Sequence, residues 1–149
     1  MKEKNKFRYA EKCLYEYKRN LAALEILRED LRVAQASTDV HVQNYQSFFS
    51  SNSDPSNSVQ ARLMKIESIE GKIRVIERFT KPITKLIEDL SAPENLKGSD
   101  NKLFLDILKL IYFGKNIPDV VIDELNVSRR TFFRFRRDLV YLAIGYLAF

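Results

Sequence analysis

The densest chemistry in the chain lies in one run, "DELNVSRRTFFRFRRDL", Asp123 to Leu139. It places five arginines and three phenylalanines within nine positions, directly after Ser128. A guanidinium is planar, permanently charged and forked, so it pairs bidentately with phosphate oxygens and with the O6/N7 edge of guanine. Arg130, Arg134 and Arg137 step by four and three and share one helical face, with Arg129 and Phe133 at its edges. Phe132, Phe135, Leu139 and Leu142 step in the same way on another face, which predicts a buried back. Ser128 can satisfy the orphan N–H groups at the helix start, and its hydroxyl can also reach a phosphate.

The residues before this helix complete the arrangement. Pro118–Leu125 reads as a short helix opened by proline, Asn126 as its left-handed stop, and Val121, Leu125 and Val127 as the apolar wedge that fixes the interhelical angle. Helix, short turn, then a serine-capped helix is the pattern of a helix-turn-helix. A plainer reading stands beside it: arginines on a helix commonly form a solvated face, and phenylalanines at this spacing commonly form core. The charge distribution favours a polyanionic partner. The chain carries a net charge of +5, and in residues 126–149 five arginines face the single acid Asp138, a surplus of four.

Other chemistry is poorly provided for. There is no Gly-rich phosphate loop, and the single histidine, His41, stands in a polar stretch without a nucleophile or metal partner. Glu67, Glu70, Glu77 and Glu88 read as a solvated face. We therefore expect no enzyme, no cofactor and no metal. Cys13 is the only cysteine, which excludes an intrachain disulfide and suits a reducing compartment. With neither an apolar run of spanning length nor a signal-peptide pattern, a cytoplasmic location and no membrane partner are expected.

The elements that position the arginine face read as all-α. Leu14, Tyr17, Leu21, Leu24, Leu27 or Arg28, Leu31 and Ala34 recur at helical spacing and predict a long helix over residues 4–36. The Ser- and Asn-rich stretch after it reads as a loop, in which Tyr45, Phe48 and Phe49 pack down. A second long helix is predicted from Pro55, with Asp54 as its N-cap, to Leu90; its stripe is Val59, Leu63, Ile66, Ile69, Ile73, Ile76, Phe79, Ile83, Leu86 or Ile87, and Leu90. Pro82 predicts a kink or break near Thr80–Lys81. Residues 1–91 thus form a coiled-coil-like antiparallel pair whose narrow stripes a monomer cannot fully bury, so self-association is expected. Residues 99–149 form the helix-turn-helix domain, opening with a helix over Lys102–Phe113 that Ser99 or Asp100 caps and a left-handed Gly114 ends. "VYLAIGYLAF", residues 140–149, is apolar nearly all round and needs cover, either from Leu103–Tyr112 or from a partner.

Three stretches carry a family resemblance: "LYEYKRNLAALEILREDL", "SDP" before the second long helix, and "LKLIYFGKNIPDVVIDELNVSRRTFFRFRRDLVYLAIGYL". With them the chain resembles the phage late-gene transcriptional regulators of the ArpU/RinA type, whose C-terminal part is similar to region four of bacterial sigma factors. The last stretch is the most specific, with Ser-Arg-Arg-Thr opening the recognition helix. The resemblance implies that Ser128, Arg129, Arg130, Phe133, Arg134 and Arg137 make base and phosphate contacts on double-stranded promoter or operator DNA. It also implies activation of phage or prophage late genes, RNA polymerase as a partner and a bacterial host cytoplasm. Two other classes remain open on the residues alone: a small terminase subunit binding DNA for packaging, and a helical interaction protein that binds no DNA.

Overall fold

No glycine or proline interrupts the first 54 residues, and the chain uses that freedom. In the computed structural model α1 runs from Glu3 to Ser47, eleven residues past the expected end at Ala36. The Ser, Thr and Asn residues that read as a loop lower helix propensity by only a few tenths of a kcal/mol each, and no breaker stops propagation. The structure describes the backbone at residues 1–47, 55–94 and 99–149, and side chains at 1–36, 58–94 and 100–149. The expected packing of Tyr45, Phe48 and Phe49, the Asp54 cap and the surroundings of His41 lie outside the described side chains.

Among the described residues four further helices follow: α2 (Pro55–Ser91), α3 (Ser99–Ile107, continuing as a π-helical turn over Leu108–Phe113), α4 (Pro118–Leu125) and α5 (Arg129–Leu147). The described residues contain no strand, and the fold is all-α. α2 passes through Pro82 without a break. On either side of the proline the helix is held to α1: the Phe79 ring meets Tyr9 edge-on at 6.0 Å, and the Tyr17 hydroxyl bonds that of Thr84 at 2.8 Å. Leu63 lies off the buried stripe, 53% exposed, whereas Ile69, Ile83, Leu86 and Leu90 are buried as their spacing requires.

Two compact units result, and they fall differently from the division at residues 91–99: residues 1–20 pack with 78–149, and residues 21–77 form a unit of their own. In the first, Leu14 of α1, Ile83 of α2, Ile107 and Tyr112 around the π turn, Val121 of α4, and Phe132 and Leu139 of α5 are fully enclosed. Each such side chain contributes about 1.5–3 kcal/mol of burial. Cys13 is buried among them; burial, with Glu16 nearby, pushes its thiol up to about 11. In the second unit the segments of α1 and α2 run in opposite directions, Arg28 pairing with Glu77 at 3.1 Å.

The third helix departs from expectation at both ends. Ser99 and Asp100 are its first residues rather than its cap. At the other end Gly114 is right-handed, φ −85°, and Lys115 takes the left-handed conformation instead, φ 54°. Glycine is needed at 114 for space, not for backbone freedom. A Cβ there would lie 2.9 Å from the Lys109 carbonyl oxygen, 2.9 Å from Asn116 Nδ2 and 3.0 Å from the Leu110 carbonyl oxygen. Asn116 causes the crowding by donating both its backbone N–H and its side-chain N–H to Leu110 O, each at 3.0 Å. Gly114→Ala is expected to cost about 1–3 kcal/mol by overpacking. At Gly145 a Cβ would meet nothing within 4 Å, and alanine should instead add about 0.5–1 kcal/mol through helix propensity. Urea denaturation of the two variants checks the opposite signs.

Candidate nucleic-acid interface

The turn between α4 and α5 is built as its residues dictate. Asn126 closes α4 in the left-handed region, φ 53° and ψ 46°, a conformation its short polar side chain tolerates. Its N–H reaches Asp123 O at 3.3 Å. Ser128 is extended, and its hydroxyl accepts the Thr131 N–H at 3.1 Å while donating to Thr131 Oγ1 at 2.8 Å. The hydroxyl is thus committed to the cap, though the residue itself stays exposed. Val121 is fully buried as the centre of the wedge, with Leu125 and Val127 half-buried beside it.

Behind α5 the buried row is Phe132, Leu139, Val140 and Ala143. Leu142, expected in that row, is 39% exposed. Apolar side chains also stand at Val140 and Ala143, and these face inward instead. The apolar tail is contacted from α1 and α2, though Tyr141, Leu142 and Phe149 stay partly exposed. Phe104 of α3 packs on Phe135, but Tyr141 meets Phe7 and Phe149 meets Tyr9, both on α1, and the Tyr146 hydroxyl bonds Asp89 of α2.

The other side of α5 is open. Arg129, Arg130, Phe133, Arg134 and Arg137 are all exposed. Arg129 is steered by two contacts, a 2.6 Å ion pair with Asp119 of α4 and a cation–π placement 5.3 Å from the Phe133 ring centre. That pair is solvent-exposed on both sides, so it orients the guanidinium at little energetic cost to re-pairing. Arg134 lies 5.4 Å from the Phe135 ring centre, and Arg137 makes a loose 3.7 Å contact with Asp138. α4 presents Asp119, Asp123 and Glu124 to solvent, so the cationic surface belongs to α5 and does not spread across the pair.

One arginine of the run behaves differently. Arg136 turns inward, donating to Glu11 Oε1 at 3.1 Å, to the Tyr15 hydroxyl at 3.0 Å and to the Tyr112 hydroxyl at 3.4 Å. Tyr112 in turn donates to Glu11 at 3.3 Å, and burial raises its phenol far above the usual range, so the donor proton stays. Four residues from three elements, separated by up to 125 positions, meet at this point. Arg136 is grouped above with the other arginines by charge, but a signal missed there sets it apart: it lies four residues after Phe132 and three before Leu139, on the apolar row itself.

The fold and site together define an all-α protein carrying a capped helix–turn–helix pair with a guanidinium-rich outer face. Residues 63–142 match the family described as "Protein of unknown function (DUF1492)", and the chain belongs to that family. The matched span runs from within α2 to Leu142 of α5, and so includes the turn and all six exposed residues named above. No curated protein and no solved structure matches the chain.

Proposed function

We propose that the protein is a sequence-specific DNA-binding regulator of transcription, acting on phage or prophage late genes in the manner of the ArpU/RinA type. The observation that carries this reading is the sorting of arginines on α5: Arg136 is consumed by the interior, while Arg129, Arg130, Arg134 and Arg137 stay outside around an exposed Phe133. A helix that enters the major groove requires that division between an apolar back and a front of long forked donors. In this reading Arg129 and Arg137 hold phosphates. Arg130 and Arg134 read base edges, and Phe133 touches a thymine methyl. The Ser128 hydroxyl already serves the cap, so its direct role is to fix the helix start, where backbone N–H groups meet phosphate.

The protein acts by binding, without catalysis, in a bacterial host cytoplasm. It self-associates, and RNA polymerase is its partner on promoter DNA. Duplex binding measured at 50 and 200 mM salt tests the core of this reading. The two phosphate contacts of Arg129 and Arg137 should make the affinity fall by roughly tenfold across that interval, because each neutralised phosphate releases a counterion. A salt-independent affinity, or none, would leave only an interaction protein.

A further inference from the structure

Two helical segments can bury one stripe each, and the unit of residues 21–77 has apolar surface left over. Ile26 and Val33 of α1, and Leu63, Met64 and Val75 of α2, are each more than half exposed. Beside them α1 and α2 enclose a cleft of about 640 Å³. Its floor holds Leu27 and Ile69; Asp30 and Val33 line it from α1, and Lys65 and Lys72 from α2. The charges are therefore segregated by wall, acid on one helix and lysines on the other. The outward row of α1 has a matching composition: Ile26, Glu29, Asp30 and Val33, apolar at both ends and acidic between.

We propose that a second copy of this chain occupies the cleft, each copy laying its Ile26–Val33 row onto the partner's α2 wall to close a four-helix bundle. This rests on the self-association in the reading above and supplies its interface. Charge selects the arrangement. A two-fold axis running along the helices brings Asp30 of each copy against Lys65 and Lys72 of the other. An axis across the helices would set the lysines against their own copies, which like-charge repulsion penalises. Ile26 and Val33 leave water in the same step, which the two-helix unit alone cannot achieve. Gly71 fits this packing. It stands mid-helix between Met64 and Val75 on the outward row of α2, where glycine costs about 1 kcal/mol relative to alanine. Within the chain a Cβ at 71 would meet only the flexible end of Arg74, at 3.8 Å. The empty position is a notch into which a partner helix can settle.

Light scattering on the full chain tests the proposal, with circular dichroism on the same samples to establish that the helices are intact. The wild type should have twice the 17.5 kDa chain mass. Lys65→Glu with Lys72→Glu should halve the mass, Val33→Lys should do the same by a separate route, and adding Asp30→Lys to the lysine variant should restore the dimer. A wild type of single-chain mass, a ring of many chains, a lysine variant that stays dimeric, or no rescue by Asp30→Lys overturns it. Duplex binding on the same samples keeps the two readings apart: a dimer that ignores DNA removes the proposed function and leaves this interface standing.

Discussion

Replacing Arg130, Arg134 and Arg137 together by alanine is expected to weaken duplex binding by at least about a hundredfold, with the midpoint of thermal unfolding unchanged. Each of these side chains is exposed, and their intrachain contacts are slight: the loose 3.7 Å approach of Arg137 to Asp138 and the placement of Arg134 5.4 Å from the Phe135 ring centre. Exposed substitutions of this kind shift stability by about 0.5 kcal/mol or less. On DNA each lost arginine contact removes about 1–3 kcal/mol, and a lost phosphate contact lowers the salt slope by about one. The single variants separate the roles. Arg134→Ala should relax the preference at one base pair and leave other sequences nearly unaffected. Arg137→Ala should weaken all sequences alike and flatten the salt dependence. If Arg134→Ala instead weakened every sequence equally, Arg134 would be a phosphate contact and the base-reading assignment would move elsewhere on the helix.

The part of the molecule that was legible in advance is the part governed by local chemistry. Asn126 in the left-handed region, Ser128 accepting from Thr131, the limits of α4 and the start of α5 all follow from a few residues acting on their own backbone. Position 114 failed because two local causes compete. Glycine suggests a left-handed stop, but the two hydrogen bonds that Asn116 donates to the Leu110 carbonyl oxygen crowd the site, and Lys115 takes the positive φ. The π-helical turn over 108–113 has no pattern to announce it, since its three buried residues Leu108, Ile111 and Tyr112 would share a face in an α-helix too.

The long-range errors have a different origin. Helical spacing reports which side of a helix is apolar, not which partner covers it. The first twenty residues therefore read as half of a long-helix pair, although they pack in one unit with residues 78–149. The partners that show this are aromatic: Phe7 on Tyr141, Tyr9 on Phe149, Tyr15 on Tyr112. Aromatic rings at 7, 9 and 15 are too irregularly spaced to enter a heptad count, and a stripe built on leucines passes them by. Pro82 makes no break in α2 for a related reason. The lost backbone bond is real, but tertiary contacts on both sides of it, at Phe79 and Thr84, hold the helix continuous.

Arg136→Ala is expected to be the mirror image of the triple variant: a loss of about 2–4 kcal/mol in stability, with the salt dependence of DNA binding preserved wherever the protein is folded. The side chain is 21% exposed and its partner Glu11 27%, so the pair is shielded enough for its loss to leave a poorly solvated carboxylate. The substitution also strips the Tyr15 and Tyr112 hydroxyls of a donor at the junction of α1, the π turn and α5. Arg136→Lys should recover only part of the loss, because an ammonium cannot reproduce the fork that reaches Glu11 and two phenols at once. A double-mutant cycle with Glu11→Gln measures the coupling directly, and a value near zero would mean the guanidinium stabilises through packing and the two phenols, not through the carboxylate. The decisive comparison is between the two variants in urea and on DNA. If Arg136→Ala left the unfolding midpoint in place and lowered the salt slope by about one, the inward arginine would be a phosphate ligand. The division of α5 into a structural and an open side would then fail.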